Sequence, residues 1–363
     1  MAEQIHLKGI TWDHSRGFTS MVATAQRFHE LYPHVEIIWE KRSLQAFADE
    51  PIDELAKRYD FLVIDHPWAG FAARTGVILP LNQLLSEDFI TDQAENSVGR
   101  SHQSYNYDGH QWALAIDAAT PVAASRPDLF IHEELPSTWQ DLVVLASKGK
   151  VAIPGIPQDT LMSFYMVCST LGENVCETTD YVISESTGLH ALDMLRDLGQ
   201  HIAKESYDFN PIKVYEAMTK FDVYSYSPFA YGYSNYARHG YANKLLKFHD
   251  MVSINGNQLI STIGGTGLAI SANCQHKEIA GAYAEYTASE KVQKSLFFDN
   301  GGQPGHRKAW LDDYTNRVTD DYFKATLPAL DRSFLRPRYH GHMFFQDNSG
   351  APIREFMMNG GYA

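Results

Sequence analysis

Gly264-Gly265-Thr266-Gly267-Leu268-Ala269-Ile270-Ser271 leads three glycines into a short apolar strand. Behind it come a helical run from Glu278 to Thr287, a second from Ser289 to Phe298, and the loop Asn300-Gly301-Gly302-Gln303-Pro304. Glycines before such a strand let backbone amides approach a small solute closely, because no Cβ stands in the way. Residues Ile279, Ala280, Tyr283, Ala284 and Thr287, then Val292, Leu296 and Phe297, keep one-face helical spacing. In isolation this stretch also fits a strand and helix hairpin of any α/β protein.

Working outward, the N-terminal part supplies a context. Ile5 to Trp12 alternate apolar and polar side chains as a strand does, ending in Thr11-Trp12-Asp13-His14-Ser15-Arg16. Phe18, Met21, Val22, Ala25, Phe28 and Leu31 then keep helical spacing until Pro33. A strand at His34 to Glu40, a short helix opened by Pro51 and the apolar strand Phe61-Leu62-Val63-Ile64 follow. This β-α-β-α-β alternation calls for a parallel sheet with crossover helices, in which ligands bind beyond the carboxyl ends of the strands.

Further along, Asp108-Gly109 marks a hairpin turn within Tyr105-Asn106-Tyr107-Asp108-Gly109-His110-Gln111-Trp112-Ala113-Leu114-Ala115-Ile116-Asp117. Thr138 is a plausible N-cap in Pro136-Ser137-Thr138-Trp139-Gln140-Asp141-Leu142. Beyond it the patterns predict a strand at Val151 to Ile153, then helices from about Thr160 to Leu171, Thr187 to Lys204 and Lys213 to Lys220. No internal repeat or low-complexity tract interrupts the chain.

Composition limits the function classes. With 363 residues, two domains of about 100–200 residues each are expected. A hydrophobic content of 44% with 20% charged residues fits packed globular domains. The net charge of -14 disfavours nucleic acid and anionic membranes, and no basic run offsets it. Cys168, Cys176 and Cys274 form no C-x-x-C pair, so they read as buried small apolar residues rather than as redox or metal sites. No stretch reaches the roughly 20 apolar residues of a membrane helix. Met1-Ala2-Glu3-Gln4-Ile5 has neither the basic nor the apolar region of a signal peptide, so the chain is expected in the cytoplasm if Met1 is the native start.

The glycine turn, strand, helix pair and Gly-Gly-x-Pro loop, in this order, resemble the solute-binding proteins of ABC transporters, and specifically the extracellular family whose members mostly take up sugars. The Tyr105 to Asp117 hairpin resembles the one that leads into that family's interdomain crossover. Pro136-Ser137-Thr138-Trp139 resembles the start of the second domain's first helix. The likeness covers nearly the whole chain as patterns rather than as a single signature. It implies an α/β, two-domain, periplasmic-binding-protein-like fold of type II, with hinge-linked domains and an interdomain ligand cleft. Residues 1–117 with 260–310 are expected to form the first domain and 118–259 with 311–363 the second, with crossings near 118–125, 255–263 and 308–314. The family's exported members imply a periplasmic or extracellular place and an ABC permease as partner.

Candidate ligand contacts follow from the strand ends. Trp12, Asp13, His14 and Arg16 combine an aromatic face, a carboxylate and a planar donor, which suits a sugar ring, although a helix-capping cluster has the same composition. Asp65, His66 and Trp68 occupy the equivalent end of the third strand, where Asp65 can also cap the helix beginning at Pro67. In the second domain, Tyr226, Phe229, Tyr231, Tyr233 and Tyr236 are strand and core material in the main. One or two of them are expected to touch ligand, with Tyr226, Tyr231 and Tyr233 as the candidates. An aromatic cage for a quaternary amine stays open; the tyrosines are too spaced for the adjacent pair of ferric-ion relatives. Asp117, Gly264, Gly265 and Arg307 complete the expected contacts.

His340-Gly341-His342 is a weak metal motif without a third ligand, and G-x-S-x-G, H-E-x-x-H and P-loop signatures are absent. The reading is therefore a monomeric binder of a small polar solute, a sugar or sugar-like compound, without cofactor, metal or catalysis. Two alternatives remain: a cytoplasmic binder or sensor of the same fold, and an enzyme with His14 or His66 as general base.

Overall fold

A computed structural model of the chain describes residues 4–130 and 134–361, so the readings at residues 1–3 and at the last residues of the tail lie outside the described residues. Twelve strands occur among them. In chain order they are β1 Ile5–Trp12, β2 Val35–Arg42, β3 Phe61–Ile64, β4 Asn106–Tyr107, β5 His110–Gln111, β6 Leu114–Ala119, β7 Pro121–Ser125, β8 Tyr226–Tyr231, β9 Lys247–His249, β10 Ser253–Ile254, β11 Asn257–Gln258 and β12 Gly264–Ile270. The chain divides into two compact units. The first runs up to Ala119 and takes in Gly264–Thr315 and Arg338–His342; the second comprises Thr120–Ile263, Asn316–Pro337 and the chain from Met343.

The first unit is built on a five-stranded sheet in the order β2-β1-β3-β12-β6. β1 pairs in parallel with β2, from Ile5 opposite Val35 to Trp12 opposite Arg42, and with β3 on its other side. β12 then runs antiparallel to both β3 and β6, so the sheet is mixed rather than purely parallel. All four residues of β3 are buried, as a strand walled on both faces requires. Helix Thr19–Leu31 buries Met21, Thr24, Ala25 and Phe28 at three- and four-residue spacing and ends before Pro33. Its Phe28 meets Tyr283 of helix Lys277–Ala288 edge to face at 5.3 Å in the unit's core.

The second unit holds the three-stranded sheet β8-β7-β9, all antiparallel. Thr138 closes a capping box with Asp141 at the start of helix Trp139–Ser147, where Trp139 stacks on Phe229 at 6.3 Å. Helix Pro157–Thr170 is buried at every position from Asp159 to Thr170. A helix without a solvent face belongs to the interior of its unit.

Several expectations need correction. Val151 forms a single bridge to Tyr226 rather than a strand through Ile153. The helix expected from Thr187 to Lys204 runs Glu185–Gly199 and gives way to a 3-10 turn at Lys204–Asp208. At Gly199 a Cβ would lie 2.7 Å from the Met357 carbonyl oxygen and the Tyr207 hydroxyl, so the chain passes too close there for any larger residue. The second helix of the Gly264 to Lys308 stretch is a short α-turn followed by π-helix at Gln293–Phe297. There the buried Gln293 amide reaches from the Thr287 carbonyl to the Gly305 N–H. Gly264 and Gly265 are part of β12 itself, not a turn ahead of it.

The tail from His340 is expected in the second domain, yet Arg338–His342 belong to the first unit. Arg338 donates to the carbonyls of Gln103 and Asn106, and His340 stacks on Phe71 at 5.7 Å. Gly70 makes room for this return, since a Cβ there would meet the Arg338 carbonyl. The three cysteines are buried and unbridged.

Candidate functional site

In the first unit, β1 leads to β2 on one side while β3 lies on the other, which is the topological switch that opens a crevice beyond the carboxyl ends of strands. The register gathers the ends of several strands at one edge of the sheet. Ile64 stands opposite Gly267, and Asp117 opposite Thr266. Trp12, Asp65, Asp117 and the Gly264–Thr266 segment therefore belong to the same edge.

Arg16 and Asp117 dominate it. The turn after β1 is tied by the His14 and Gly17 N–H groups, which donate to the Trp12 and His14 carbonyls, and by the Arg16 N–H on His14 Nδ1. That turn places the guanidinium of Arg16 in a two-pronged pair with Asp117, its Nε 2.7 Å from Oδ2 and its Nη2 on Oδ1. The two side chains are only 4% and 1% exposed. Burial pushes the Asp117 carboxyl up, and the guanidinium pulls against it. Gly265 completes the corner at φ +90°, where a Cβ would lie 2.3 Å from the Asp117 carbonyl oxygen. Two further polar atoms at this edge, Trp12 Nε1 and Thr266 Oγ1, are buried without a hydrogen-bond partner in the protein. Buried donors are nearly always satisfied, by protein, by ordered water or by a ligand.

The other expected contacts fall into groups. Trp12, read in the sequence as an open stacking face, has an indole that is 3% exposed, lies in the core cluster, covers Gly17 and sits 5.4 Å from Phe47. Asp13 is exposed and pairs with Lys41 at 2.8 Å, so it serves the surface. His14 is half-buried. The Asp65 carboxylate accepts from the His66 N–H and caps the 3-10 turn His66–Trp68. His66 is wholly buried with its ring edge-on to Tyr105, and Trp68 packs edge-on against Phe71. Arg307, the first residue of helix Arg307–Trp310, donates to the Ser97 carbonyl.

In the second unit Tyr226 and Tyr233 are buried, at 2% and 4% exposure. Tyr231 is the half-buried one of the three, its hydroxyl 3.0 Å from Thr262 Oγ1. Among the described residues no group of three or more His, Cys, Asp or Glu side chains is arranged to hold a metal ion. None of the described helices is long and apolar enough to cross a membrane.

Two residues escape the sequence reading. Thr266 stands between glycines with no pattern of its own, and only its place opposite Asp117 singles it out. Asp159 falls just outside the helix expected from Thr160, although an acid beside the run Leu161-Met162-Ser163-Phe164-Tyr165 is a signal in itself.

Comparison with solved structures settles the architecture. A ribitol-bound ABC-transporter solute-binding protein from Agrobacterium radiobacter K84 superposes with a TM-score of 0.83 at 17% identity, over 99% of this chain and 95% of that one. This chain has the fold of the ABC-transporter solute-binding proteins. Maltose-bound MalE3 of T. maritima matches with a TM-score of 0.84 at 14% identity, covering 98% of this chain and 95% of its own. A solute-binding protein of Thermotoga lettingae TMO bound to α-D-tagatose gives 0.80 at 16% identity, over 98% and 95%. No family model matches the sequence. In open α/β sheets ligands bind beyond the carboxyl ends of the strands, which is where the strand-end cluster lies.

Proposed function

We propose that this protein captures a sugar or sugar-like compound for uptake by an ABC importer, performs no chemistry on it, and works as an exported monomer beside a membrane permease. The observation that carries this reading is the pair of buried donors without partners, Trp12 Nε1 and Thr266 Oγ1, beside the Arg16–Asp117 pair at a strand-end edge. Fixed donors of this kind suit the oxygens of a polyhydroxylated solute. The fold adds support, since the similar proteins are described as bound to ribitol, maltose and tagatose. Asp65 and Tyr231, each only partly buried, are the other contacts we assign to the ligand.

Thr266→Val tests the assignment with two opposite signs. Removing a buried hydroxyl that has no partner in the free protein should leave its stability unchanged or raise it. Loss of a hydrogen bond to the ligand should weaken sugar binding by about 1–3 kcal/mol, roughly fivefold to 150-fold. Calorimetric titration together with thermal unfolding reads both. A variant that binds as tightly as the parent would remove Thr266 from the site.

A further inference from the structure

The second unit contains a cavity of about 10 Å³, room for a single water-sized group, bordered by the half-buried Tyr231. Pro121, Met162, Met166, Phe229 and Tyr231 wall it, and Asp159 contributes its polar surface. Asp159 is 7% exposed, and its Oδ2 is buried without a hydrogen-bond partner in the protein. The other lining residues explain why. The apolar ones have no donor to give, Ser163 spends its hydroxyl on the Asp159 backbone carbonyl, and the Tyr231 hydroxyl is bonded to Thr262.

We propose that this cavity is a subsite for a protonated amino group of the solute, so that the compound taken up is an amino-substituted sugar or polyol. The inference rests on the reading of the protein as a sugar-type solute binder and narrows it. An ammonium group has the size of a water and three donors, and it brings the positive charge that the lining lacks. A hydroxyl would supply a hydrogen bond of about half the strength of a charge-assisted one. Of the residues lining the cavity, Asp159 and Tyr231 are the titratable ones; Tyr226 of β8 and Tyr165 and Cys168 of helix Pro157–Thr170 do not line it. Burial alone acts on the Asp159 carboxyl and pushes it up to about 7. A bound cation favours the ionised form, so amine binding should strengthen as pH rises through that value and should release a proton.

The test is a carbon-detected NMR titration of the Asp159 carboxyl in the full-length protein, once in methylammonium chloride and once in sodium chloride of equal ionic strength. Loss of the resonance in Asp159→Asn assigns it; if that variant does not fold, the displacement caused by Ser163→Ala does so. The expected result is a midpoint near neutrality in sodium chloride that falls by about one pH unit or more in methylammonium. Equal midpoints in the two salts, or an ordinary carboxylate midpoint in sodium chloride, would overturn the subsite. Parallel thermal unfolding with glucose, ribitol, maltose and glucosamine keeps the two readings apart. Stabilisation by the neutral compounds with an unmoved midpoint removes the amine subsite and leaves the sugar-binding function. A moved midpoint with no stabilisation by any sugar or polyol, neutral or amino-substituted, supports the amine site and removes the sugar reading.

Discussion

Replacing Arg16 by alanine is expected to remove about 3–5 kcal/mol of stability, the effect of breaking a buried ion pair from one side. Asp117 keeps its burial in the variant but loses both prongs of the guanidinium, so a carboxyl that burial already pushes up must take a proton or remain unpaired. The double replacement Arg16→Met with Asp117→Leu should recover much of the loss, because apolar residues of similar volume often substitute for a buried pair at little net cost. Urea unfolding of the parent, the single variant and the double variant separates these terms. A single variant as stable as the parent would mean that the pair is not the closed, dry contact described above. The double variant should fold and yet fail to bind solute, since the polar edge has gone.

Trp12→Ala is expected to cost a similar amount, about 3–5 kcal/mol, by opening a cavity in the first unit's core. The indole fills the space over Gly17 and touches Phe47, and a methyl group cannot hold that volume. Trp12→Phe should retain much of the packing while deleting Nε1, so it should keep the fold and lose affinity. Thermal unfolding and calorimetric titration distinguish the two outcomes. If Trp12→Ala folds as stably as the parent, the indole is a surface ligand face after all and its placement in the core is wrong.

Much of the first unit is legible because its signals are local. Alternation in Ile5 to Trp12, helical spacing from Phe18 to Leu31 and the apolar run Phe61–Ile64 each stop at Pro33 or at a polar cluster, and the strands and helix lie there. The Asp108-Gly109 turn is equally readable, since both residues adopt positive φ as the tight hairpin demands. Long-range features are not legible in the same way. Arg338 joins the first unit through carbonyls more than two hundred residues away, and no periodicity announces such a contact. The antiparallel run of β12 is likewise a matter of topology, not of composition.

The candidate site shows the same division. Residue types at strand ends point to Arg16 and Asp117, but not to their pairing, which depends on how β1 and β6 come to one edge of the sheet. Trp12 is easily misread because an indole at a strand end looks alike whether it faces ligand or core; Gly17, which leaves space for the ring, is the clue. Asp159 escapes because its helix is buried on every side, so no amphipathic pattern fixes where that helix begins.

The central claim, capture of a neutral or amine-bearing polyhydroxylated solute, is tested most directly by thermal unfolding of the parent protein against a panel of sugars, polyols, amino sugars and phosphorylated sugars. Stabilisation by a sugar, polyol or amino sugar, growing with the logarithm of its concentration above the dissociation constant, is the predicted result. Stabilisation by phosphorylated or polyanionic compounds alone, or by none of the panel at millimolar concentration, would contradict it.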